Sequence, residues 1–213
     1  MANGKKTGMN LPNKLTVLRI CMVPVFIVVM MLPASVLDPI ISGLIGVALF
    51  IAASVTDMLD GKIARRHNLV TDFGKFMDPL ADKFMVIGAM MVILYKNLTA
   101  AEPNKIFGIL FFCALLIVIF RELAVTAMRL VVSGSSGIVV AANMLGKIKT
   151  CTQIACVILC IVEPIFYNYI PALAGLKSVL PLSLVSTAAM AFSTLLSGIN
   201  YIKSYWKYMD PEK

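Results

Sequence analysis

Charge is scarce in this chain. Only 14% of its 213 residues are Asp, Glu, Lys or Arg, and acids are the rarer sign, 11 against 19 basic residues. A soluble domain of this length carries more charge than that, so an ordinary water-soluble fold is excluded. Histidine and tryptophan occur once each. His67, beside Arg66, reads as a solvated or headgroup-facing residue and not as a catalyst. The five cysteines are Cys21, Cys113, Cys151, Cys156 and Cys160. Their odd number and unpaired spacing exclude a disulfide framework and a zinc site. They read instead as small core residues. No internal repeat and no long low-complexity stretch is present, which argues against architectures built from related halves.

What is abundant is apolar sequence. Hydrophobic residues make up 60% of the chain, and the mean hydropathy is +0.91. The chain therefore reads as an all-α integral membrane protein of one domain, residues 1–213. Its length leaves no room for a sizeable extramembrane module. Six apolar runs long enough to cross a bilayer are predicted, at 15–32, 40–66, 73–96, 106–132, 144–166 and 180–205. Residues 10–19 are expected to form a short amphipathic segment in the interface, with Lys14 and Arg19 toward headgroups. Pro24 and Pro79 are tolerable inside membrane helices. Residues 133–137 read as a Gly/Ser-rich break or hinge. Trp206 and Tyr208 suit a membrane edge.

The net charge of +8 is distributed along the chain in alternation. Lys5, Lys6, Lys14 and Arg19 precede the first run, and Arg65, Arg66 and Lys75 flank the second connection. Arg129, Lys147 and Lys149 mark the fourth, and Lys203, Lys207 and Lys213 the tail. The intervening connections carry only Lys96, Lys105 and Lys177. Positive residues accumulate on the cytoplasmic side, so both termini are expected there, with an even number of spans. The basic excess then faces anionic lipid and phosphate-bearing substrates, and no nucleic acid is expected as a partner.

Against this background four carboxylates stand out: Asp57, Asp60, Asp78 and Asp82. At about 100° per residue, positions 57, 60, 61 and 64 share one helix face. Gly74, Asp78 and Asp82 step by four and form a second stripe. Two helices meeting along these stripes gather four hard oxygen ligands and three small residues, a combination that suits Mg²⁺ or Mn²⁺ and a closely approaching ligand. Ionisable groups in membrane segments are costly and so mark function. The charge alternation places this active site at the cytoplasmic ends of helices two and three.

The full pattern is Asp57-x2-Asp60-Gly61-x2-Ala64-Arg65-x8-Gly74-x3-Asp78-x3-Asp82. It resembles the signature of the CDP-alcohol phosphotransferase family of integral membrane enzymes, with all eight fixed positions matched. The blocks Leu11-Pro12-Asn13-Lys14-Leu15-Thr16-Val17-Leu18-Arg19, Phe120-Arg121-Glu122-Leu123 and Leu145-Gly146-Lys147-Ile148-Lys149-Thr150 are similar to the bacterial branch of that family that forms phosphatidylglycerophosphate. After about residue 160 only hydropathy matches.

The resemblance implies a reaction and roles. A CDP-linked lipid, CDP-diacylglycerol, gives its phosphatidyl group to an alcohol, and CMP leaves. Asp57, Asp60 and Asp78 are implied metal ligands, and Asp82 is the implied base that also helps with metal. Gly61 and Ala64 correspond to positions where the cytidine packs, and Gly74 belongs to the same donor site. Arg65 is placed to contact donor phosphate, and Thr56 adjoins the nucleotide. Arg121, Arg129, Lys147 and Lys149 suit an acceptor that carries its own phosphate, such as glycerol 3-phosphate, with Glu122 as partner to Arg121. The implied setting is a bacterial cell membrane, with membrane lipids as neighbours and small residues on the spans permitting a homodimer. Inositol phosphate, serine and phosphatidylglycerol are competing acceptors within the family. A divalent-metal transporter is the reading from another class, and acidic groups at helix ends rather than the bilayer midplane disfavour it.

Overall fold

The computed structural model describes residues 11–67, 72–136, 144–170, 175–177 and 179–206, with side chains placed except at 11–12, 60–67, 72–76 and 133–136. All regular structure among these residues is helical. Six helices follow one another: α1 (Leu11–Met31), α2 (Pro39–His67), α3 (Asp72–Leu98), α4 (Lys105–Ser136), α5 (Met144–Tyr169) and α6 (Pro181–Trp206). The chain divides into two compact units, Met1–Ala89 and Met90–Lys213.

In the first unit, α1 packs on α2. Asp38 starts α2: its Oδ1 accepts from the Ile40 amide at 2.8 Å, and Pro39 takes the first helical position, where no N–H is needed. Phe26 and Phe50 meet with ring centroids 6.2 Å apart, between the buried Val23, Met30 and Ala53. Gly46 lets the helices approach closely, since a Cβ there would collide with the Met30 thioether. Ser42 adds a hydrogen bond from its hydroxyl to the Val29 carbonyl at 2.8 Å. On α3, Gly88 faces Val23 and Ile27 of α1, each within ordinary van der Waals contact of a Cβ built there.

In the second unit, α6 packs on both α4 and α5. The α3–α4 connection is closed by a pair of amides. Asn97 Nδ2 donates to the Asn104 carbonyl at 3.1 Å, and the Asn104 amide donates to Asn97 Oδ1 at 3.2 Å. Asn104 also caps α4 by accepting from the Phe107 amide at 2.9 Å. Between α5 and α6 runs a seam of small polar residues, where Thr152 and Ser193 exchange a hydroxyl hydrogen bond at 2.6 Å. Hydroxyls suit an interface inside lipid, where apolar burial alone does not distinguish helix from solvent.

The start of α6 is unusual. Leu180, the residue before Pro181, has φ 51° and offers no capping oxygen. The cap comes from α5 instead. Glu163, 1% exposed, accepts from the Leu182 amide at 2.8 Å and the Ser183 amide at 2.6 Å. The Ser183 hydroxyl at 2.5 Å and the Tyr167 hydroxyl at 2.7 Å complete its shell. A buried carboxylate is tolerable when its lone pairs are filled this way and a helix N-terminus faces it.

The predicted runs match the observed helices, with three differences. Residues 11–19 form no separate interfacial segment, because Leu11 to Met31 is one helix and Asn13, Thr16 and Arg19 are buried. Residues 133–136 continue α4 rather than breaking it; Gly and Ser are tolerated in membrane helices, and the helix runs on through them. Five of the six helices are long and apolar enough to span a bilayer: Asn13–Met31, Pro39–Leu59, Lys105–Val132, Met144–Tyr169 and the stretch Gly175–Trp206. The exception is α3, whose first half carries Asp72, Lys75, Asp78, Asp82 and Lys83. Large apolar side chains cover the outside, among them Ile106, Phe120, Val185 and Trp206. The chain is a multi-pass membrane protein. Tyr208, Lys207, Lys213 and the amino-terminal Lys5 and Lys6 lie outside the described residues.

Replacing Glu163 by Ala strips four donors of their acceptor. The variant is expected to lose about 3 kcal/mol of stability, read as a lower unfolding temperature in detergent, with Glu163→Gln losing less.

Candidate active site

Three of the four motif aspartates have described side chains. Asp57 lies on α2, and Asp78 and Asp82 lie one turn apart on α3. Pro79 falls between these two inside an unbroken helix. Asp60, Gly61, Ala64 and Arg65 belong to the same stretch of α2, and Gly74 to the start of α3, but their side chains lie outside the described ones.

The three described aspartates are held from α1. Arg19 Nη1 lies 2.9 Å from Asp57 Oδ1 and 2.7 Å from Asp82 Oδ1. One nitrogen thus ties a carboxylate of α2 to a carboxylate of α3. The Thr16 hydroxyl donates to Asp78 Oδ1 at 2.5 Å. Arg19 and Thr16 are each 1% exposed, whereas the Asp57 and Asp82 side chains keep 44% of their surface open. The anchors are therefore inside and the carboxylates reach out. Arg19 was expected to face headgroups, and the structure corrects this. A guanidinium beside two carboxylates gains more from pairing than from snorkelling. Its signal in the sequence was the three-residue step of Asn13, Thr16 and Arg19, which lines one face of a helix.

The donor set is chemically suited to a hard divalent cation: carboxylate oxygens, two of them within hydrogen-bond distance of one cationic nitrogen. Among the described residues, no three carboxylate, thiol or imidazole groups close into a ligand cluster. Thr56 does not reach outward, since its hydroxyl donates back to the Ala52 carbonyl at 2.6 Å.

The second unit holds a cationic cluster. Arg121 and Glu122 of α4 pair at 3.0 Å between Nη1 and Oε1, and Lys149 of α5 donates to the same Oε1. Arg121 Nη2 donates to the Ser197 hydroxyl at 2.8 Å. Its guanidinium lies over the Tyr201 ring, 5.2 Å from the centroid. Gly198 leaves room for it: a Cβ there would stand 3.2 Å from Arg121 Cγ. Two cations thus share a single carboxylate, in a site where Lys149 is buried. Arg129 and Lys147 are exposed and stand apart from this network. Ser197 and Tyr201 were not singled out from the sequence, which carries no local sign that α6 would face Arg121.

Known proteins resemble this chain along most of its length. The family model for CDP-alcohol phosphatidyltransferase matches residues 9–197. A protein of Bacillus subtilis (strain 168) named CDP-diacylglycerol–glycerol-3-phosphate 3-phosphatidyltransferase is 38% identical over 205 residues, covering 93% of this chain and 96% of its own length. One of the same name from Rickettsia bellii is 31% identical, covering 95% and 99%. A probable phosphatidylglycerophosphate synthase of Mycobacterium tuberculosis (strain H37Rv) is 30% identical, covering 93% of this chain and 83% of that protein. The chain belongs to the CDP-alcohol phosphatidyltransferase family.

Proposed function

We propose that this protein transfers the phosphatidyl group of CDP-diacylglycerol to glycerol 3-phosphate, giving phosphatidylglycerophosphate and CMP. The observation that carries the reading is likeness across 93% of the chain to a protein bearing that name, with every fixed position of the aspartate motif present.

The chemistry explains the residues. The acceptor hydroxyl attacks the phosphorus that bears the diacylglycerol. The bond from that phosphorus to the bridging oxygen breaks, and CMP leaves with the electron pair. Asp82 takes the hydroxyl proton, a role that its partly open carboxylate allows. Asp57, Asp60, Asp78 and Asp82 would hold Mg²⁺ or Mn²⁺, which neutralises pyrophosphate charge and makes phosphorus more electrophilic. The family resemblance assigns Gly61, Ala64 and Gly74 to the cytidine end of the donor and Arg65 to its phosphate, with Thr56 next to Asp57 in the same stretch of α2.

Glycerol 3-phosphate differs from a neutral alcohol by its own phosphate, and recognition of that group requires fixed cations. Arg121 and Lys149, gathered on Glu122, supply them. Arg129 and Lys147, both exposed, add positive charge that attracts the acceptor. The charge alternation supports a cytoplasmic position for the aspartates and both termini, where glycerol 3-phosphate is at hand and CMP can leave into water.

Purified protein in detergent with Mg²⁺ is expected to release CMP from CDP-diacylglycerol when glycerol 3-phosphate is supplied, and to stop on chelation. Release only with serine, inositol phosphate or phosphatidylglycerol would refute the acceptor. No release with any of the four would refute the activity.

Asp82→Asn is expected to reduce turnover by at least ~100-fold, within the range of general-base losses, while CDP-diacylglycerol still binds. Weakened donor binding with full turnover would remove Asp82 from the role of base. Arg121→Ala is expected to raise the KM for glycerol 3-phosphate by at least ~10-fold, as the loss of a charged hydrogen bond implies.

A further inference from the structure

The helix α1 contributes no carboxylate to the motif, yet each described aspartate of the motif is tied to it. Arg19 takes one oxygen of Asp57 and one of Asp82, and Thr16 takes one oxygen of Asp78. Each of these contacts engages a single carboxylate oxygen. A carboxylate has two oxygens, so one can be fixed while the other takes a cation. Groups that hold a metal's ligands from behind set their orientation, and removing such groups typically weakens metal binding 10- to 100-fold.

We propose that Arg19 and Thr16 are positioning residues for the divalent-cation site. They fix the carboxylates of α2 and α3 in the orientation the ion requires. This rests on the reading of the aspartates as metal ligands given above.

Burial supports the assignment. Both side chains are enclosed while the carboxylates they hold remain partly open. Two carboxylates that share one nitrogen are drawn together although their charges repel. Without Arg19, Asp57 and Asp82 would relax apart, and the ion would have to reassemble them at its own cost in affinity. Thr16 acts without charge. Its hydroxyl fixes the rotamer of Asp78 only.

Electrostatics alone predicts the reverse. A positive charge beside a cation site opposes the cation, so its removal would tighten binding. The sign of the effect therefore separates the two roles of Arg19.

The test is Mn²⁺ binding to the purified full chain in detergent, followed by electron paramagnetic resonance in the absence of substrate. Thermal unfolding in chelator is measured alongside. Arg19→Gln is expected to raise the Mn²⁺ dissociation constant at least ~10-fold. Thr16→Val is expected to raise it by a smaller factor, and Thr16→Ser, which keeps the hydroxyl, to restore it. Restoration by Thr16→Ser is a result that loss of packing would not produce. Should Arg19→Gln not fold, Arg19→Lys takes its place, with the same expected weakening and the same overturning result. Equal or tighter Mn²⁺ binding in folded Arg19→Gln overturns the proposal for Arg19 and makes it a competing cation. Equal binding in Thr16→Val overturns it for Thr16. In both cases the metal reading stands if Asp57→Asn abolishes binding. If the unaltered protein binds no Mn²⁺, the metal reading falls and the positioning role falls with it.

Discussion

A charged group in an apolar helix bundle must find an opposite charge, and much of the first unit follows from how Arg19 does so. Its guanidinium is enclosed, and the cost of leaving it unpaired would be several kcal/mol. Asp57 and Asp82 meet that need. The same contact solves the converse problem, since carboxylates pressed together between helices repel one another. Arg19 therefore links the site to the fold. Reactive groups on two helices are placed relative to a third, and the third is anchored in the apolar core by Phe26 and its contact with Phe50.

The second unit applies the same rule with the signs reversed. Two cations, Arg121 and Lys149, converge on one carboxylate, Glu122. The neighbouring Ser197 hydroxyl and Tyr201 ring take up what the carboxylate does not. Among the described residues, Arg121 and Lys149 face one carboxylate, whereas Asp57 and Asp82 share one guanidinium nitrogen. The cationic cluster is the more enclosed of the two, since the Asp57 and Asp82 side chains keep 44% of their surface open.

The sequence made some of this legible and hid the rest for physical reasons. Helix positions were readable because lipid demands long apolar runs, and five of the six predicted runs fall on helices apolar enough to span, α3 being the exception. The aspartates were readable because charge in such runs is rare and their spacing follows the helical turn. Arg19 was misplaced because a basic residue near the start of a span has two good solutions, a headgroup or a buried partner. The choice depends on residues some forty and sixty positions away. Residues 133–136 were misread as a break because Gly and Ser stop helices in water more readily than in lipid. Ser197, Tyr201 and the Glu163 cap depend on which faces of α4, α5 and α6 meet, which no single helix pattern specifies. The side chains of Asp60, Gly61, Ala64, Arg65 and Gly74, prominent in the motif, belong to the part of α2 and α3 outside the described ones.

The cap on α6 binds it to α5. Without α5, the Leu182 and Ser183 amides would lose their acceptor, because neither Leu180 nor Pro181 has a side-chain oxygen to cap them. Without α6, Glu163 would lose three of its four donors. Each defect is the remedy for the other. The last two helices are thus interdependent, each complete in its hydrogen bonding only when the other is beside it.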